Sequence, residues 1–416
     1  DDFADKKLVV VAFLGTECPL AKLYGPRLAE LASKLEDQSV AFIGIDSNQQ
    51  DSLEEIAAYA RRHDINFPIL KDPGNEIADR FEAQRTPEVF VLDRDRIIRY
   101  CGRIDDQYGF AEGVGYQRPE PSRQDLLVAV EELLAGKPVS EPSTTPLGCI
   151  IGRVRPVDPT SEVTYSNQIA RVFQEHCVEC HRPGQIGPFT LTSYDDAVGW
   201  GEMILEVVDQ GRMPPWHAAG DRDKFKNDLR LSEEEKDLIA TWVANGCPEG
   251  DPSQLPSPRE FTEGWTIGEP DQIIYMSDEP VDVPAEGVID YYHFYVAPGW
   301  EEDKWIMAAE AKPSSPETVH HILVFVAPPN RFGDRGRSSR FSRRDRDDDD
   351  RGSDRERSER GPSDGERRGE GGGISSGNLI AGYAPGMNPM LVTDGTTAMH
   401  VPAGSKLIFQ LHHTPN

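Results

Sequence analysis

This chain is short of positive charge: 44 lysines and arginines stand against 72 aspartates and glutamates, for a formal net charge of -28. Phosphate binding needs a basic surface, so nucleic acid is excluded as a partner. The acidity favours solubility and steers cationic partners without specifying a fold. Long hydrophobic runs are missing too: no stretch approaches the roughly 18 apolar residues of a membrane-crossing helix. Six cysteines in 416 residues exclude a disulfide scaffold. The chain opens on DDFADKK, with no initiator Met and no charged-then-apolar leader, and ends on LHHTPN directly after a strand-like run. Both ends read as cut from a longer protein, with any signal peptide upstream.

What is present divides into three segments, as the length leads one to expect. Residues 1–138 alternate strand-like runs (LVVVAFLG, VAFIGID, RTPEVFVLD) with helical ones (YGPRLAELASKLED, LEEIAAYARRH, RQDLLVAVEELLAG), the pattern of an α/β sheet covered by helices. KPVSEPSTTP opens a linker over 139–162. Residues 163–252 are helical: SNQIARVFQEH, SYDDAVGWGEMILEVVDQG and SEEEKDLIATWVANG, the last with a capping hydroxyl, Ser232, and acids in its first turn. A second linker covers 253–265. Residues 266–416 carry short strands with Pro/Gly turns (IIYMS, VIDYYHFYVAPG, KWIMAAEA, TVHHILVFVAPP, NLIAGYAPG, KLIFQLHH), which predicts an all-β sandwich of jelly-roll type. An insert over 331–373, rich in arginine and acids and without aliphatic residues, cannot bury enough surface to fold. Its arginine clusters suit polyanions, but a solvated, strand-connecting loop is the preferred reading.

The most specific signal is CVECH, Cys177 to His181. Two cysteines one helical turn apart put both sulfurs on one edge, placed to add across the vinyl groups of a haem, and the next residue, His181, meets the iron. A zinc knuckle and a thiol-redox CxxC are the alternatives, but structural zinc wants four ligands and no second CxxC exists. IARVFQEHCVECHRPGQIGPFTL, ATWVANG and GRMPPWHA resemble, in turn, the N-terminal helix and motif, the C-terminal helix and the methionine loop of class I cytochromes c. The resemblance implies covalent haem c on Cys177 and Cys180, with His181 and Met213 as axial ligands. His217 competes with Met213.

LVVVAFLGTECPLAKLYGPRL and RTPEVFVLD resemble the active-site strand, turn and helix and the cis-proline loop of thioredoxin-like redoxins of AhpC/TSA type. That implies a redox thiol at Cys18, whose helix N-terminus favours thiolate. The second cysteine of a CxxC is replaced by Ala21. Cys101 and Cys149 remain as resolving thiols, and Cys149, just after a flexible linker, is the better placed. A degenerate redoxin kept for docking is the open alternative.

TVHHILVFVAPP, AGYAPG and VPAGSKLIFQLHHTPN resemble the N-terminal domain of copper type II, ascorbate-dependent monooxygenases, the peptidylglycine-hydroxylating and dopamine β-monooxygenase family. The resemblance implies an electron-transfer copper on His320, His321 and His412. Neutral imidazoles suit copper. Adjacent strand residues point to opposite faces, so His320 and His321 can share a metal only across a bulge or twist. His413, His293 and His400 are read as outside the ligand set. The family's catalytic copper domain is expected beyond Asn416.

Together these readings describe a periplasmic or secreted multidomain oxidoreductase in which a haem relays electrons to a copper monooxygenase module. Partners would be redox proteins and a small-molecule or peptide substrate that the sequence does not name. A non-catalytic electron-transfer or docking protein and a thiol peroxidase using Cys18 are the alternatives.

Overall fold

The computed structural model describes residues 3–111, 114–216, 218–221, 224–225, 227–262, 264–284, 290–329, 378–392 and 396–413; the insert read over 331–373 lies outside them. In the first unit the elements run β1 (Leu8–Leu14), α1 (Pro19–Leu35), β2 (Val40–Asp46), α2 (Leu53–Arg62), β3 (Ile69–Lys71), α3 (Glu76–Phe81), β4 (Arg85–Thr86), β5 (Glu88–Leu92), β6 (Ile98–Gly102), β7 (Tyr108–Ala111), β8 (Val114–Gln117) and α4 (Asp125–Leu134). The sheet order is β3-β2-β1-β5-β6, with β1 parallel to β2 and antiparallel to β5.

The unbroken apolar run of β1 is buried along its whole length, as a central strand covered on both faces must be. Its side chains alternate between two cores. Val10, Ala12 and Leu14 pack with Leu28 of α1 and Leu126 and Val130 of α4. Val9, Val11 and Phe13 pack with Phe90, Ala78 of α3 and Ile151. Pro19 opens α1 directly after Cys18, using the first-turn position where proline's missing N–H costs nothing.

Ile151 belongs to the stretch read as a free linker, and the structure corrects that reading. Cys101 N–H donates to Pro142 O at 3.1 Å and Thr144 N–H to Cys101 O at 3.0 Å. A further strand, β9 (Cys149–Ile150), pairs antiparallel with β4, and Ile151 is fully buried. Proline and serine content signalled a linker, but the apolar CII sequence after it supplies a core side chain, and burial decides.

The helical unit begins with a π-helical turn, Tyr165–Ile169, running into α5 (Ala170–His176), then α6 (Tyr194–Val198), α7 (Gly201–Asp209) and α8 (Glu233–Ala244). Ser232 and Glu235 form the capping box that the sequence signals. Phe173 of α5 meets Trp242 of α8 edge-on, 6.1 Å between ring centres, and both are fully buried. The single helix expected over SYDDAVGWGEMILEVVDQG is two, broken at Gly199 and Trp200. The break lets neighbours approach closely: a Cβ on Gly199 would lie 2.2 Å from Gln50 Oε1 of the first unit, and one on Gly201 2.7 Å from Cys247 Sγ.

The third unit holds β10 (Tyr292–Val296), β11 (Lys304–Ile306), β12 (Ala308–Ala309), β13 (Val319–Ala327), β14 (Leu379–Tyr383), β15 (Met390–Leu391), β16 (Met399–Val401) and β17 (Lys406–His413). The described residues give one four-stranded antiparallel sheet, β10-β17-β13-β14, and two ribbons, β11-β16 and β12-β15, packed through Ile306, Met390 and Val401 on the core of Val319, Ile322 and Leu411. IIYMS is not a strand. Its alternation is present, since Ile274 and Met276 face this core while Ile273 and Tyr275 are exposed, but among the described residues its backbone pairs with no strand.

Candidate functional site

Cys177 caps the C-terminus of α5. The chain then makes one more turn, in which the N–H groups of Cys180 and His181 donate to Cys177 O at 3.1 and 3.0 Å. Cys177 and Cys180 therefore lie one turn apart on one edge. His181 Nδ1 lies 3.0 Å from Phe189 O, and Phe189 stacks flat on Trp200, 4.0 Å between ring centres. A carbonyl only accepts, so Nδ1 carries the proton and Nε2 keeps its lone pair for a metal. Burial lowers the His181 pKa, which favours the neutral ligand form. Burial also pushes Cys177 up to about 12 and Cys180 up to about 11, which disfavours the thiolate that thiol-redox chemistry uses. Among the described residues no further Cys, His, Asp or Glu completes a metal set around these two cysteines.

Two orphaned donors test whether a haem fits. Arg182 Nε and Trp216 Nε1 are buried without hydrogen-bond partners among the described residues. Arg182 follows the motif, and Trp216 lies in the GRMPPWHA loop. A haem brings two propionates that can accept from such donors, and Arg182 directly follows the motif, so the donor chemistry suits the group. Met213 opens that loop, its N–H donating to Val207 O at 3.1 Å, and its side chain is 41% exposed. His217 lies outside the described residues. With haem attached, the weak red charge-transfer band of methionine-ligated ferric haem is expected to vanish in Met213→Ala and persist in His217→Ala. The midpoint potential of Met213→Ala should fall, within the roughly 0.8 V range that axial ligands command. Absence of the band from the unsubstituted protein, with a low-spin spectrum that changes in His217→Ala and not in Met213→Ala, would exchange the two roles.

The second centre lies at the N-terminus of α1. Cys18 Sγ is 2.8 Å from Thr86 O, and Thr86 is paired in register with Cys149 across β4 and β9. The Thr86–Pro87 peptide is cis. Cys18 and Cys149 are both buried free thiols, joined by a side-chain hydrogen bond. Burial alone pushes the Cys18 thiol up, but hydrogen bonds from the Cys149 side chain and from the backbone of Ala21 and Cys149 bring it down to about 6. Cys149 is held well above its ordinary value, first by its bond to Cys18 and then by burial. Cys101 sits on β6 with Sγ 3.5 Å from Ser143 Oγ. Beneath the turn, sequence reasoning missed a pair of acids: Thr16 N–H donates to Asp51 Oδ2 at 2.9 Å, and burial, then Asp51, pushes Asp46 up to about 9.

The third centre joins β13 and β17. Each of His320, His321 and His412 offers a nitrogen, all within 4.8 Å of one another. His321 stands opposite His412, and the pairing register shifts between Val319 and His321. That irregularity turns His320 to the same side as its neighbour, which a regular strand forbids; the two Nδ1 atoms lie 3.1 Å apart. Among the described residues His412 Nδ1 is buried without a hydrogen-bond partner, and the Tyr291 ring lies nearly parallel to it at 4.8 Å. Burial, then the neighbouring imidazoles, lowers the pKa of His320 and His321, which favours the neutral form that binds metal. The donor set fits a copper ion. His413 is turned away, edge-on to Tyr292; His293 bonds to Gln410 and His400 to Asp303, each at 2.9 Å. A cluster not read from the sequence, Glu175, His176 and Glu235, contains a hydrogen bond of 2.9 Å between His176 and Glu235 that ties α5 to α8.

Residues 1–101 match the AhpC/TSA family, and residues 166–243 match the family described as cytochrome C oxidase, cbb3-type, subunit III. The thiol-disulfide oxidoreductase YkuV of Bacillus subtilis is 28% identical over 97 residues, 23% of this chain and 66% of the relative. The thiol-disulfide oxidoreductase ResA of Halalkalibacterium halodurans is 24% identical over 87 residues, 21% of this chain and 48% of the relative. The chain thus spans less than two thirds of either curated relative. A hypothetical protein of Sinorhizobium meliloti, solved by crystallography, is 30% identical, with 36% of this chain and 82% of that one covered and a TM-score of 0.32. The chain carries a thioredoxin-like AhpC/TSA domain and a c-type cytochrome domain, and it is a redox protein.

Proposed function

From a redoxin domain followed by a c-type cytochrome domain, we propose that this chain is an extracytoplasmic oxidoreductase in which electrons held at a haem on Cys177, Cys180 and His181 pass to copper on His320, His321 and His412. The observation that carries the reading is the convergence of three imidazoles at the β13 irregularity, with ligand atoms within 4.8 Å. The copper type II monooxygenase resemblance supplies the chemistry: this chain would hold the electron-transfer copper, with the cytochrome standing in for a soluble reductant. Attachment of haem through CxxCH outside the cytoplasm supports the location. The hydroxylated substrate and the redox partners are unassigned.

When bound, the two groups supply one-electron carriers. The chain's own residues do the positioning. Phe189 O fixes the His181 ring by accepting from Nδ1. The register shift brings His320 beside His321, and Tyr291 covers the His412 ring. The haem-binding turn also contacts the linker that leads into the third unit. Arg259 reaches Glu179 at 2.6 Å, and the Arg182 guanidinium sits 3.9 Å over the Phe261 ring. Tyr383, paired with Ile322 beside His321, has its hydroxyl pushed up by burial.

Metal analysis of copper-loaded holoprotein after dialysis tests the proposal: about one iron and one copper per chain are expected. Iron without copper under every loading condition would replace it with an electron-transfer or docking protein. Peroxide consumption that depends on Cys18 and not on copper would replace it with a thiol peroxidase.

A further inference from the structure

The redoxin centre is covered by its own chain, so a disulfide compound reaches Cys18 only when the covering segment moves aside. Cys18 is 1% exposed and Cys149 8%, and what covers them is the chain's own segment 148–152. β9 lies along β4, the edge on which an extended peptide partner would otherwise pair. The segment is fastened at many points. Arg85 Nη1 donates to Gly148 O at 2.8 Å, Ile151 N–H to Gln84 O at 3.0 Å, and Gly152 N–H to Asn48 Oδ1 at 3.0 Å. Gly148 has φ +128°, and a Cβ there would lie 2.0 Å from Thr86 O, so only glycine lets the chain press this close to the cis-proline loop. The far side of the pair belongs to the cytochrome: Cys18 and Cys149 share an apolar cluster with Tyr165, Phe173, Trp200 and Trp242, and Arg85 pairs with Glu206 of α7 at 2.5 Å.

We propose that Cys18 and Cys149 form a single dithiol–disulfide centre, in which the redoxin uses the strand leading into its own cytochrome as its thiol partner and a disulfide compound as its co-substrate. Cys18 thiolate attacks one sulfur of the disulfide R–S–S–R, forming Cys18–S–S–R and releasing RS⁻, which takes up a proton. Cys149 sulfur, losing its proton, then attacks Cys18 Sγ and expels the second RS⁻, which takes up that proton. The sum is two cysteine thiols oxidised to one disulfide and R–S–S–R reduced to two RSH, with two protons carried across. The order of attack follows from the asymmetry of the pair: Cys18 sits at the N-cap of α1, where thiolate is favoured, and Cys149 is the donor facing it. The closed disulfide would clasp the redoxin to the segment that enters the cytochrome. This centre does not depend on copper, so it stands or falls separately from the haem-to-copper reading.

The test equilibrates haem-loaded full-length protein with oxidised and reduced glutathione over a range of ratios, followed by peptide mapping of the disulfides. The expected product is a Cys18–Cys149 bridge, with Cys101 and Cys247 outside it. Cys149→Ser should accumulate glutathione on Cys18, whereas Cys18→Ser should leave Cys149 unmodified. No Cys18–Cys149 bridge at any ratio, a bridge from Cys18 to Cys101 instead, or glutathione trapped on Cys149 rather than Cys18 would each overturn the proposal. The mapping needs only the wild-type chain, so a variant that fails to fold leaves the test intact.

Discussion

Copper affinity is expected to fall by more than about 100-fold when His412 is replaced by alanine, because even the loss of a partner behind a ligand weakens metal sites by about 10–100-fold. Here a ligand itself goes. His412 stands across the sheet from His321, and it alone of the three comes from β17. Without it His320 and His321, their Nδ1 atoms 3.1 Å apart, are the only nitrogens of the triad left to the ion. Competition with a chromophoric copper chelator measures the effect. His413→Ala is the matched control: one residue further on, edge-on to Tyr292, it should leave affinity unchanged. Equal losses in both variants would mean that copper binds elsewhere or that β17 has been disturbed, which the far-ultraviolet dichroism of each variant distinguishes.

Replacing both Cys177 and Cys180 by alanine is expected to reduce covalent haem from about one per chain to none, read from the pyridine haemochrome of the denatured protein. Each single replacement should leave one thioether and a haemochrome band shifted toward longer wavelength. His181→Ala separates attachment from ligation: both thioethers remain while the axial nitrogen is lost, so haem stays bound and its spectrum changes. A loss of helical signal should accompany the double variant, because α5 and α8 pack with Phe173, Leu191 and Trp242 in the core flanking the motif. Full haem content in the double variant would refute thioether attachment at this motif.

The haem centre was legible because its chemistry is local. Five consecutive residues specify two sulfurs and a nitrogen one turn apart, and the turn after α5 is helical, as that spacing requires. The histidine triad was legible as residue types but not as geometry: nothing in TVHHILVFV marks the register shift between Val319 and His321, since that irregularity arises from pairing with β17, far away in sequence. Cys149 was identified as a partner for Cys18 on the premise that a loose tail can reach a site. The structure brings the two together for a different reason, a paired strand and a buried Ile151. IIYMS has strand-like alternation without a pairing partner, and periodicity by itself does not report who pairs. The close approaches at Gly199 and Gly201, which accompany the break of the expected long helix, depend on Gln50 and Cys247, residues no local reading would connect.

The most direct test of electron passage between the two metal centres is a single-electron pulse delivered to fully oxidised, copper-loaded holoprotein, followed at the haem α band and by the Cu(II) paramagnetic signal. The account predicts ferrous haem that reoxidises, at a rate independent of protein concentration, as the Cu(II) signal disappears, and a haem that stays reduced in His412→Ala. Haem reoxidation that is unchanged in His412→Ala, or a Cu(II) signal that persists while the haem holds the electron, would contradict it.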